Sequence, residues 1–225
     1  MKVKKRSKIL LSFDLDFTLI DNSEGILNSF QYAVKKHDLP LVDDKSIENK
    51  IGEPLEQMFA DLYPDSPIKT LVSSFREYYK KEGIYQVKLL SGVLEKIKEL
   101  YRNFPLGIIT SKKEEMAKKL IKHLNLRKFF EFILGETEER ILKTDPKIEA
   151  YLRLKYPGFT YIIIGDHPKD KELAQMLGSP FVGVLTGNHN KEELEQDIKV
   201  PHQIINNLTD LYEDLIFRLV KKESK

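Results

Sequence analysis

Four short and almost unbroken apolar runs constrain this chain more than any other feature: Ile9 to Phe13, Phe104 to Ile109, Tyr161 to Ile164 and Phe181 to Leu185. Each has the length of one strand and lacks the alternation of a strand wetted on one face. Each therefore reads as a strand buried on both faces of a parallel sheet. Between them apolar residues recur at helical spacing, first as Leu94, Ile97, Leu100 and Tyr101, then as Met116, Leu120, Ile121 and Leu124. Ser111 with Glu114 reads as a capping box that opens the second of these helices. Asp145 before Pro146 reads as an N-cap with proline in the first helical position, and Pro168 opens a further helix that Gly178 stops. Strands alternating with helices predict an α/β, doubly wound, Rossmann-like parallel sheet with right-handed connections. Weaker strands are expected at Phe132 to Leu134 and at Ile204 to Ile205.

From about Asn22 to Lys88 the alternation stops. Helical patterns fill the stretch (Ile26, Phe30, Ala33, Val34; Leu55, Met58, Phe59, Leu62; Leu71, Phe75, Tyr78, Tyr79), with no buried strand among them. The expected organisation is an α/β core over 1–21 and 89–225, with an all-helical cap domain inserted at 22–88. The aromatic stripe Phe75, Tyr78, Tyr79 reads as the core of that insert.

With 225 residues the chain can bury an ample core, and with no cysteine it can use neither a thiol nucleophile, a Cys-zinc site nor a disulfide. Chemistry falls to carboxylates, hydroxyls, lysines and histidines. Charged residues make up 32 % of the chain but the net charge is only +2, so both signs are interspersed over a solvated surface rather than gathered into a nucleic-acid groove. The basic start MKVKKRSK and the basic end VKKESK read as solubilising termini. No run approaches the roughly 20 apolar residues of a membrane span, and no secretory signal pattern precedes the first strand. A cytoplasmic protein with no membrane partner is expected, as monomer or homodimer. Abundant Lys and Glu without Cys or Trp resembles hyperthermophile usage.

In an open α/β sheet, ligands bind at the carboxyl ends of the strands, so the residues that end these runs carry the functional question. The first run ends in Asp14-Leu15-Asp16-Phe17-Thr18, the second in Thr110-Ser111, and the third in Gly165-Asp166-His167-Pro168-Lys169-Asp170. Four carboxylates on one edge repel one another, which a design for stability alone would avoid. A divalent cation resolves the conflict, and Mg2+ suits an all-oxygen site shared with a substrate phosphate. Lys143 and the amides at the start of the helix after Ser111 are then available to the phosphate oxygens.

The order Asp14-x-Asp16-x-Thr18, a strand ending in Thr110, Lys143, then Gly165-Asp166-x-x-x-Asp170 resembles the four motifs of haloacid dehalogenase (HAD) hydrolases. It is most similar to the phosphoglycolate-phosphatase-like group. Leu19-Ile20-Asp21, Ser91-Gly92-Val93, Lys143-Thr144-Asp145-Pro146 and Gly183-Val184-Leu185-Thr186-Gly187 add to the likeness, which covers essentially the whole chain. The resemblance implies a Mg2+-dependent phosphatase that acts on a small phosphorylated metabolite. It implies Asp14 as nucleophile and Asp16 as general acid, then base. It places Mg2+ on the Asp14 carboxylate, the Asp16 backbone carbonyl and Asp166, with Asp170 behind them, and Thr110, Ser111 and Lys143 on the phosphoryl oxygens. Lys143 is preferred to Lys147, which falls inside a helix. Phe17 and Thr144 depart from the glycine and proline common at their positions, and Phe17 is expected to alter the pocket wall.

Blander roles stand beside these. Asp21 reads equally as an N-cap or as a hinge residue, Asp170 also as a first-turn helix charge, and His167 first as an exposed loop histidine and second as a substrate or metal-shell contact. His37, His123, His189 and His202 read as surface or capping residues. In the insert, Lys50-Ile51-Gly52-Glu53-Pro54 resembles the loop with which relatives read the leaving group, and Leu55 and Glu56 stand where related phosphomutases keep an arginine. The competing functions are a β-phosphoglucomutase-like phosphomutase, a dehalogenase, which would not need Asp16, and a catalytically silent binding protein.

Overall fold

The computed structural model describes residues 7–51, 53–140 and 143–221. Gly52 and most of both basic termini lie outside the described residues. The chain divides into two compact units, one made of Met1–Ile20 with Leu89–Lys225, the other of Asp21–Lys88.

In chain order the elements are β1 (Ile9–Phe13), β2 (Ile20–Asp21), α1 (Ser23–Lys36), α2 (Asp44–Glu48), α3 (Leu55–Leu62), α4 (Ile68–Lys81), β3 (Lys88–Leu89), α5 (Val93–Tyr101), β4 (Leu106–Lys113) and α6 (Glu114–His123). They continue with β5 (Phe132–Glu136), α7 (Pro146–Lys155), β6 (Thr160–Gly165), α8 (Pro168–Leu177), β7 (Phe181–Val184), α9 (Lys191–Glu195), β8 (His202–Ile205) and α10 (Glu213–Lys221).

The first unit is a six-stranded parallel sheet in the order β5-β4-β1-β6-β7-β8. β1 is buried at every position, as its unbroken apolar run requires. The chain winds outward from β1 through β4 to β5, then returns to lay β6, β7 and β8 on the other side. The order therefore reverses at β1, and such a switch point leaves a crevice beyond the carboxyl ends of the strands. Register aligns those ends: Phe13 lies opposite both Ile108 of β4 and Ile164 of β6, and the Asp14 amide donates to the Ile164 carbonyl at 2.8 Å. Asp145 caps α7 by accepting from the Lys147 amide, and Gly178 ends α8 in the left-handed conformation.

The capping box expected of Ser111 and Glu114 does not form. β4 runs on to Lys113, which pairs with Glu136 of β5, and α6 starts at Glu114 without a side-chain cap. The Glu114 carboxylate is engaged elsewhere, accepting from the Gly135 amide at 3.3 Å and closing on the Arg140 guanidinium. Sheet pairing and this ion pair outweigh the local cap.

The second unit is helical. Its core is aromatic, with Phe30 stacked on Phe59 at 4.1 Å between ring centroids, Phe59 edge-on to Phe75 and Phe75 stacked on Tyr79. Asp21 is not the N-cap residue of α1, a position that Asn22 holds; from one residue earlier its carboxylate accepts from the Ser23 amide at 3.1 Å. No helix among the described residues is long and apolar enough to cross a membrane.

Candidate active site

Asp14 follows β1, Asp166 follows β6, and Asp170 sits in the first turn of α8, so the switch point and one helix start bring three distant carboxylates together. All three are buried, and each has an oxygen within 4.8 Å of the others. Lys143, from the turn before α7, is driven into this cluster. Its ammonium lies 2.7 Å from Asp14 Oδ1 and closes also on Asp170 Oδ1, with only 2 % of its side chain exposed. The Thr18 hydroxyl donates to Asp166 Oδ1 at 2.9 Å and so ties the loop after β1 to the end of β6.

Two glycines make room for the acids by close approach. A Cβ on Gly165 would fall 2.1 Å from the Asp170 carboxyl carbon, and one on Gly187 would fall 2.0 Å from Asp166 Oδ2. Phe17 adopts the left-handed conformation (φ 55°) that glycine takes without cost. Its carbonyl accepts from the Thr186 hydroxyl, and its amide donates to the Ile20 carbonyl at 2.8 Å, which holds the turn in spite of the side chain.

Asp16 is about a quarter exposed, at 27 %, and its Oδ2 lies 3.2 Å from the ammonium of Lys112. Thr110 is buried, whereas Ser111 is exposed. The helix expected to offer amides directly after Ser111 begins only at Glu114, because the strand extends past it. Lys147 stands apart from the cluster, exposed, with its ammonium donating to the Glu139 carbonyl.

His167 is a half-buried N-cap rather than an exposed loop residue. Its Nδ1 accepts from the Lys169 amide at 3.1 Å, while Asp170 Oδ2 accepts from the His167 amide at 3.2 Å. Asp170 thus completes a capping box as well as the acidic cluster. His189 is not solitary: its ring meets His167 edge-on at 4.5 Å, and burial, with this neighbour, pushes the His167 pKa down to about 4.

The electrostatics are those of a site that wants a cation. Burial, reinforced by the charge of Asp14, raises the pKa of Asp166 to about 8, and burial likewise raises Asp170, against the pull of Lys143. Asp16 is raised too, since burial outweighs the ammonium of Lys112. Burial disfavours the Lys143 ammonium, but the carboxylates of Asp14 and Asp170 overcome it and hold its pKa above the usual lysine range. Asp16 Oδ1 is buried without a hydrogen-bond partner, and the buried Oδ1 atoms of Asp14 and Asp170 face the Lys143 ammonium. Once all four are ionised, four carboxylates against two ammonium groups leave two negative charges, which one divalent cation matches. Oxygen donors alone, in this number, fit a hard cation such as Mg2+.

Sequence reasoning did not single out Lys112 or the Glu114–Arg140 pair. Lys112 was accessible in principle, since it stands two residues beyond Thr110 and an extended strand returns to the same face at that spacing.

The fold and this cluster define an α/β enzyme core with a buried acidic centre, at the carboxyl ends of its strands, that could hold a metal ion. The chain belongs to the haloacid dehalogenase-like hydrolase family, which it matches over residues 11–184, and is an enzyme of the family's phosphatase type. Among similar proteins, "Probable phosphatase IndB" of Dickeya dadantii is 28 % identical over 84 % of this chain and 86 % of its own. "Pyrophosphatase PpaX" of Halalkalibacterium halodurans is 30 % identical over 77 % of this chain and 80 % of its own. Among solved structures, the haloacid dehalogenase-like hydrolase SP0104 of Streptococcus pneumoniae superposes with a TM-score of 0.81 at 31 % identity, covering 94 % of this chain and 99 % of that one.

Proposed function

We propose that this protein is a Mg2+-dependent phosphatase that hydrolyses a small phosphate monoester through an aspartyl-phosphate on Asp14. The supporting observation is the convergence of buried Asp14, Asp166 and Asp170, each with an oxygen within 4.8 Å of the others, with the Lys143 ammonium among them. Asp14, Asp166 and the Asp16 carbonyl would hold Mg2+, with Asp170 behind. Bound there, the ion supplies charge neutralisation for the phosphoryl oxygens.

The remaining chemistry falls to the chain's own groups. A carboxylate oxygen of Asp14 attacks phosphorus as the bond from phosphorus to the ester oxygen breaks, and Asp16 gives a proton to the departing oxygen. Asp16 then takes a proton from water as the water oxygen displaces the Asp14 carboxylate from phosphorus. Thr110 and Lys143 bind the phosphoryl oxygens, and Lys143 also orients Asp14. Ser111, on the exposed end of β4, is assigned an outer phosphate contact. The helical unit serves as the cap that selects among esters. The substrate is a small phosphorylated metabolite.

Metal removal provides the test. Phosphate release from p-nitrophenyl phosphate should stop in excess EDTA and return with Mg2+; release that persists in EDTA contradicts the proposal. The same metal-free protein should report the acidic cluster in its stability. Asp166 is raised in the fold, so its contribution is fully present below the usual aspartate range and is lost as pH rises through about 8. The gain in Tm from saturating Mg2+ should therefore grow between pH 5 and 8, reaching about 5–10 °C if the ion is present at 100 times its Kd. A gain that does not change with pH would mean that the cluster is not where the ion binds.

A further inference from the structure

Resting on that assignment of Asp16, we propose that Lys112 is the residue that positions the general acid. Two observations carry it. The Lys112 ammonium lies 3.2 Å from Asp16 Oδ2, with the lysine side chain only 12 % exposed, while Asp16 Oδ1 is buried and has no hydrogen-bond partner. One carboxylate oxygen is thus held and the other is left to carry the proton.

The backbone explains why this lysine reaches Asp16. Register between β4 and β5 shifts between Ile109 and Lys113, and within that irregularity the Lys112 amide donates to the Thr110 hydroxyl at 3.2 Å. The bond fixes Lys112 to the neighbouring phosphate-binding residue and returns its side chain towards the loop after β1. The two cations then divide the work. Lys143 contacts Asp14 and Asp170, on the side of the nucleophile, and Lys112 contacts Asp16, on the side of the leaving group.

An aspartate side chain held by a charge-assisted contact keeps its second oxygen in place for transfer, which lowers the reorganisation needed when the ester bond breaks. Lys112 acts through Asp16 and forms no bond to the reacting atoms.

The test compares two esters in one protein, because proton donation matters in proportion to how poor the leaving group is. Nitrophenolate departs without a proton, whereas the alkoxide of glycerol 2-phosphate needs one, and a general acid is worth about 10²–10⁴-fold. Lys112→Ala should lower kcat/KM on glycerol 2-phosphate by about 10²-fold and on p-nitrophenyl phosphate by less than about 10-fold. The inhibition constant of inorganic phosphate should stay unchanged, and Lys112→Arg should restore part of the loss. In an Asp16→Asn background, Lys112→Ala should add no further bias, since the two act as a unit.

The ratio between esters does not depend on the fraction of enzyme folded, so a weakened variant still reports. An unchanged ratio overturns the proposal, as does an equal loss on both esters with weaker phosphate inhibition, which would make Lys112 a substrate-anion contact. Failure of the phosphatase assignment looks different: the unaltered enzyme would then cleave neither ester in Mg2+.

Discussion

Asp14→Asn is expected to lower kcat on p-nitrophenyl phosphate on the order of 10⁴-fold or more, the scale on which a nucleophile's loss registers in enzymes that form a covalent intermediate. The substitution keeps size and shape and removes only the charge that attacks phosphorus. It should not unfold the protein. Asp14 is one of three buried acids sharing a space within 4.8 Å; deleting its charge relieves the repulsion that adds to burial in raising Asp166, and costs Lys143 one partner while leaving it Asp170. The two effects on the metal-free protein oppose each other, so the variant should stay folded, while the gain in Tm from Mg2+ shrinks. An Asp14→Asn protein that turns over at more than a tenth of the normal rate contradicts its role as nucleophile.

Lys143→Met carries the second large effect, and on both stability and activity. The ammonium lies 2.7 Å from Asp14 and also contacts Asp170, which is fully buried, so removing it strands two carboxylates away from water. Breaking a buried ion pair from one side costs about 3–5 kcal/mol. Urea unfolding of the metal-free protein should show a loss of that size, partly recovered when Mg2+ is added. Activity should fall about 10²–10³-fold, as when one preorganised donor to the developing charge is lost. Lys147→Ala is the internal comparison: its exposed side chain reaches the Glu139 carbonyl, and its stability effect should stay within about 0.5 kcal/mol. Equal effects at the two positions would sink the assignment of the phosphate lysine.

What was legible in the sequence follows the same physics. A strand buried on both faces has to be apolar throughout, so β1, β4, β6 and β7 announced themselves as runs, and their ends pointed to Asp14, Thr110 and Asp166. Short helices did not. α2 and α9 have five residues each and bury one side chain apiece, Ile47 and Leu194, too few to show a period. α10 buries Leu215, Ile216 and Leu219 and carried a readable stripe that was not singled out.

The misread positions are those where tertiary structure overrides local chemistry. Ser111 and Glu114 make a plausible cap until β5 pairs with the end of β4 and Arg140 takes the Glu114 carboxylate. His167 looks like a loop histidine until α8 needs a cap and His189 packs against it. Lys112 resembles any surface lysine at a strand end until the loop after β1 brings Asp16 to it. Phe17 shows the reverse case, a position whose backbone takes the conformation suited to glycine while the side chain is something else. The Thr186 hydroxyl on its carbonyl offsets a cost of about 1–2 kcal/mol for the left-handed conformation.

The most direct measurement concerns the covalent bond itself. Enzyme turning over p-nitrophenyl phosphate in Mg2+ can be quenched, reduced with borohydride and digested, since an aspartyl phosphate is reduced to homoserine whereas a free aspartate is untouched. Peptide mass spectrometry should find homoserine at Asp14 and nowhere else, and none when EDTA is present throughout. Reduction at another carboxylate, or none at all while phosphate is released at full rate, would contradict attack by Asp14.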